Sequence, residues 1–151
     1  MLLCREREVL NARELQAREE INYEAYNKTI NVEAQLMVLM ANRYILPAAL
    51  QYQKQVGEAV AASKAAGAVS KQGKALAVTM AKLIDKLKSQ ADALAKALEH
   101  SDGSAEKHAK HFRDVVVPAM AALRETGDEL ELELPHESWP LATYREMLFI
   151  K

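Results

Sequence analysis

Ser70 to Glu99 reads SKQGKALAVTMAKLIDKLKSQADALAKALE. Within it Leu76, Met80, Leu83, Leu87, Ala91, Leu94 and Leu98 recur at spacings of three and four, while Lys82, Lys86, Lys88 and Asp92 take the outer positions. A helix that turns every 3.6 residues gathers the first set on one stripe and leaves the second in water, so the segment predicts an amphipathic helix about 45 Å long. Such a stripe must be covered by other helices.

Working toward the C-terminus, Ser101-Asp102-Gly103-Ser104 stops this helix, and Ser104 is a natural N-cap for another that begins Ala105-Glu106-Lys107. The loop is short enough for an antiparallel hairpin. The next helix, Ser104 to Leu134, strings Phe112, Val116, Met120, Leu123, Gly127, Leu130 and Leu134 on one stripe, with Pro118 in its middle and Pro135 at its end. Beyond lies HESWPLATYREMLFIK, in which Trp139, Tyr144 and Phe149 are three of the chain's eight aromatic residues. Pro135 and Pro140 keep this tail from extending the helix. Its aromatic area is surplus to helices whose stripes already match. Trp139, Pro140, Tyr144 and Phe149 are therefore the expected docking residues, packing across the first two helices, onto another domain or onto a neighbouring copy.

Working toward the N-terminus, Gly67 and Val69-Ser70 mark a break. Before it, Ile30 to Ala66 carries Ile30, Ala34, Met37, Ala41, Tyr44 and Ala48 at helical spacing, with Leu36, Val38, Leu39 and Met40 on the other faces. A helix apolar all round belongs at the centre of a bundle. Pro47 lacks the N–H its position would donate, so a kink or restart is expected there. The first segment, Arg5 to Asn27, is heavily charged. Val9, Leu10, Ala17, Ile21 and Ala25 form its expected narrow buried face, Glu14 and Arg18 form an i,i+4 pair, and Asn31 is an alternative cap that would separate it from the second segment. The expected fold is all-α: an antiparallel bundle of long helices with a proline-kinked central helix and an irregular aromatic tail.

The 151 residues are of one-domain size, and residues 1–151 are read as a single helical domain. Twenty Lys plus Arg against 21 Asp plus Glu leave a net charge of −1, which argues against a nucleic-acid or anionic-membrane partner. Charges begin at Arg5 and leave no signal-peptide core, and the apolar stretch Leu36 to Ala41 is far short of a membrane span. With Cys4 the single cysteine, no internal disulfide can form, and a cytoplasmic location is expected.

The chain offers few residues arranged for chemistry. His108 and His111 share a helix face and His100 lies across the hairpin, so a small metal-binding regulator is conceivable; solvated histidines near a helix end are the more ordinary reading. Glu133 and His136 have di-iron spacing, but Pro135 interrupts it. Glu19, Glu20, Glu24, Glu33 and the run Asp128 to Glu133 read as solvated faces. No glycine-rich phosphate loop or nucleophile elbow is present. No catalytic, cofactor-binding or metal residues are assigned.

Three stretches carry a resemblance. Glu14 to Ile21 (ELQAREEI), Tyr26 to Ala34 (YNKTINVEA) and Arg43 to Ala48 (RYILPA) with Tyr52 resemble the start of the C-terminal helical region of type III glutamine synthetases. Trp139 to Phe149 (WPLATYREMLF) is similar to the last residues of those enzymes. The resemblance implies an ATP- and magnesium-dependent ligase that joins ammonia to glutamate in a large oligomer. Its catalytic domain has no counterpart here. The chain is then a C-terminal structural and assembly domain, excised or encoded on its own, whose partners are the enzyme's catalytic domain and neighbouring subunits. Without ATP or magnesium of its own, it would act without catalysis. The alternative is a free-standing helical adaptor.

Overall fold

The structure is a computed structural model that describes residues 11–99 and 103–148. Cys4, Val9, Leu10, His100, Ser101, Asp102 and Phe149, which figure in the sequence reading, lie outside the described residues. The architecture is an antiparallel all-α bundle. No strand occurs among the described residues, and no described helix is long and apolar enough to cross a membrane.

The chain rises as one long rod. Helix α1 (Ala12–Met40) passes through a π turn (Ala41–Ile45) directly into α2 (Leu46–Ala65), roughly 80 Å in all at helical rise. Asn11 opens the rod with a capping box: its side chain accepts from Glu14 N at 2.8 Å, and the Glu14 carboxylate accepts from Asn11 N at 2.9 Å. Glu14 is thus turned back onto the cap instead of toward Arg18. Asn31 caps nothing; its Oδ1 accepts from Gln35 one turn on, at 3.2 Å. The first two expected helices are one.

Gly67, at φ 73°, turns the chain, and the Ser70 side chain caps α3 (Lys71–Leu98) by accepting from Gly73 N at 3.0 Å. Helix α3 descends beside α2 and then α1. Ser104 caps α4 (Ala105–His111), which runs through a second π turn (Phe112–Val116) into α5 (Val117–Glu133) and climbs back along α3. Asn27 ties the seam between α1 and α4, its Nδ2 donating to the Ala105 carbonyl at 2.9 Å.

Both π turns have one cause. Proline two residues after the turn cannot donate, and its ring crowds the carbonyl four residues back. Ahead of Pro47, Leu46 N–H bonds the Ala41 carbonyl; ahead of Pro118, Val117 N–H bonds the Phe112 carbonyl. Each is an i→i−5 bond, and the widened turn accommodates the proline without breaking the helix. It also adds a residue to the turn and shifts the register. The core row runs Ala34, Ala41, Ile45, Ala49, Val56, so Ile45 is buried and Tyr44, placed on the stripe by regular spacing, stands 48% exposed.

Helix α3 packs on α1, α2 and α5 and buries Met80, Ile84, Leu87, Ala91 and Leu94. The rod containing Pro47 is not enclosed, contrary to the expectation from its all-round apolar sequence. Val32, Leu36 and Leu39 face outward, as does Ile21, and Ala17 and Ala25 are exposed as well. The expected buried face of the first segment is therefore on the outside. Its inner side is formed instead by Leu15, Tyr23, Asn27 and Ile30, which are half-buried.

Candidate functional site

The C-terminal tail shapes a groove on the bundle. Pro135 forces Leu134 into extended backbone, φ −81° and ψ 143°, and ends α5 while Leu134 stays buried in the core. A 3-10 turn (His136–Ser138) follows, with Ser138 N donating to the Pro135 carbonyl at 2.9 Å. The turn reverses the chain so that Trp139 and Leu141 pack against the bundle core. Trp139 is half-buried and Pro140 is exposed. Part of the tail's apolar area thus completes this chain's own core and is not surplus to it.

Thr143 starts the last helix, α6 (Tyr144–Leu148). Thr143 N donates to Glu146 Oε2 at 2.8 Å, Thr143 Oγ1 donates to the same oxygen at 3.1 Å, and Glu146 N donates back to Thr143 Oγ1 at 3.4 Å. The Thr143 backbone bond, followed by the hydroxyl bond, holds the Glu146 carboxyl below the usual glutamate range. His136 Nε2 lies 3.9 Å from Glu146 Oε1 and links the two ends of the tail's fold-back.

Between tail and bundle runs an open groove of about 570 Å³. Met37, Met40, Ala41 and Ile45 form one wall, Leu87, Leu123 and Gly127 the floor, and Trp139, Leu141, Ala142 and Met147 the tail side. Arg124, Asp128 and Glu131 edge it, with Arg124 Nε 3.5 Å from Asp128 Oδ2. Methionine and leucine walls suit the docking of apolar side chains; they offer no nucleophile or acid–base pair.

Of the four residues expected to dock, the structure brings Trp139 to the groove, sets Pro140 at the surface beside it and makes Tyr144 the first residue of α6; Phe149 lies beyond the described residues. Leu141, Met147 and Gly127 were not singled out as docking residues. The pattern Thr143-x-x-Glu146 is a capping-box signature, and it was the available signal that the tail contains a helix start. His111 meets the Ala97 carbonyl through Nε2 at 2.9 Å and sits edge-on to Phe112. Among the described residues, no group of three His, Cys, Asp or Glu is arranged to hold a metal ion.

Residues 1–64 match the family model of the glutamine synthetase C-terminal domain. The match covers the rod of α1 and α2 up to Lys64, and the helical fold agrees with this similarity to the C-terminal domain of glutamine synthetases. The chain is similar, at 28% identity over 95% of its length, to a glutamine synthetase of Bacteroides fragilis (strain YCH46), and at 28% over 99% to a type-3 glutamine synthetase of Dictyostelium discoideum. A glutamine synthetase of Butyrivibrio fibrisolvens is 27% identical over 93% of the chain. The chain spans about a fifth of the length of these relatives, 21% in each case.

Proposed function

We propose that this chain is the C-terminal structural and assembly domain of a type III glutamine synthetase, a cytoplasmic enzyme that would use ATP and magnesium to join ammonia to glutamate. The carrying observation is similarity that runs along nearly the whole chain while covering one fifth of each relative. The partners are the catalytic domain of the same enzyme and neighbouring subunits. Trp139, with Pro140, Tyr144 and Phe149, is the expected docking element, and the apolar groove that Trp139 lines supports that reading.

The test is a chimera in which this chain replaces the C-terminal fifth of the Dictyostelium type-3 enzyme. It is expected to reach the host's oligomer size and retain glutamine formation, and Trp139→Ala is expected to loosen assembly. A chimera that stays unassembled while the host assembles overturns the reading. The isolated chain is expected to bind no ATP–magnesium by calorimetry, and a micromolar site would point to a different protein.

A further inference from the structure

Helix α1 has two apolar rows on opposite sides. The inner row contains Ala34 and the half-buried Ile30 and Met37, which pack on the core. The outer row runs Ile21, Ala25, Val32, Leu36, Leu39; Ile21 and Val32 are 65% and 64% exposed, and Leu36 is 53% exposed. Past the π turn the outward positions become Gln51, Lys54 and Glu58, so the row is confined to α1. It lies wholly inside the 1–64 match, whereas α3, which buries Met80, Ile84, Leu87, Ala91 and Leu94, lies outside it, as does α5. What this chain shares with the family model is thus the rod that displays an uncovered apolar face.

Two observations decide what covers that face. The row is about 27 Å long and one helix wide, roughly 300 Å², well short of the roughly 800 Å² per partner of a stable free association. A covalently joined neighbour needs less, because the tether holds it at high effective concentration. The charges also disfavour an in-register second copy. Lys28 lies on the same row and is bonded to Glu24 at 2.9 Å. Antiparallel pairing centred on the row would set Lys28 against Val32 and Glu24 against Leu36, and parallel pairing would set Lys28 against Lys28. We propose that the outer row of α1, from Ile21 to Leu39, is the face against which the remaining part of a glutamine synthetase subunit packs. This rests on the domain reading above. The complementary surface is apolar, with a polar margin where Lys28 falls.

Thiol labelling tests it in a Cys4→Ser background, with Leu36→Cys on the row and Glu58→Cys on the polar side of α2 as control. Both introduced thiols are expected to react readily in the isolated chain. In the chimera the thiol of Leu36→Cys is expected to slow by more than about tenfold while that of Glu58→Cys does not. Equal labelling in an assembled chimera overturns the docking face and leaves the domain reading intact. A chimera that fails to assemble removes that reading and this inference with it. An isolated chain that is dimeric and already protected at position 36 assigns the face to a second copy and overturns the proposal.

Discussion

Ile45 and Gly127 meet across the bundle: a β-carbon placed on Gly127 would stand 3.9 Å from Ile45 Cδ1. Gly127 lies inside α5 with a helical backbone, so it carries the entropic cost of glycine without needing its freedom. Gly127→Ala makes ordinary contact there and is expected to stabilise by about 0.5–1 kcal/mol in urea unfolding. A destabilised alanine variant would show that the interface tolerates no methyl. Gly127→Leu is expected to lose stability by overpacking against Ile45.

The π turn makes a second comparison sharp. Ile45 is 8% exposed and Tyr44 is 48% exposed. Ile45→Ala is expected to cost about 2–5 kcal/mol, as buried aliphatic truncations do, and Tyr44→Ala under about 1 kcal/mol. The reverse order would mean that the helix passes Pro47 in ordinary α register.

Two leucines on neighbouring helices measure where the core lies. Leu87 is 1% exposed and Leu132 is 87% exposed. Leu87→Ala is expected to cost about 2–5 kcal/mol and Leu132→Ala less than about 0.5 kcal/mol in chemical denaturation. Similar costs for the two would contradict the central placement of α3.

The cap on α6 gives the tail a pH dependence. Glu146 is held below the ordinary glutamate range by its bonds from Thr143, so the charged form stabilises the folded tail. That contribution is complete above the unfolded glutamate pKa and is lost as pH falls through the lowered folded value. Trp139 is the single tryptophan, and its emission is expected to stay native across the usual glutamate range and shift red only at more acid pH. Glu146→Ala is expected to remove that acid step and leave the tail loosened at neutral pH. An unchanged titration in this variant would detach Glu146 from the tail's order.

The helical stripes were legible wherever one face did one job. In α3, Met80, Leu87, Ala91 and Leu94 lie buried at the positions their 3/4 spacing indicates, and Phe112, Val116, Leu123, Leu130 and Leu134 do the same in the next helix. Ser104 caps where its side chain predicts. The first rod was harder to read, because apolar residues on opposite sides of α1 leave periodicity with no means of choosing the inner row. The tail's groove was equally hidden, since it joins residues of the rod, α3, α5 and the tail, which are far apart in the chain.

The sequence by itself determined that the chain is helical, where its helices cap and turn, and which stripes of the hairpin are buried, because those depend on local hydrogen bonding and on a single period. Tertiary packing decided that Ile45 and not Tyr44 enters the core, that Leu36 faces out, and that Trp139 lines one groove with Met37 and Met40. The physical reason is that one helix can satisfy its backbone in either orientation. Which apolar row it buries is fixed by the neighbours that exclude water from it, and for the rod the neighbours are α3, α4 and α5.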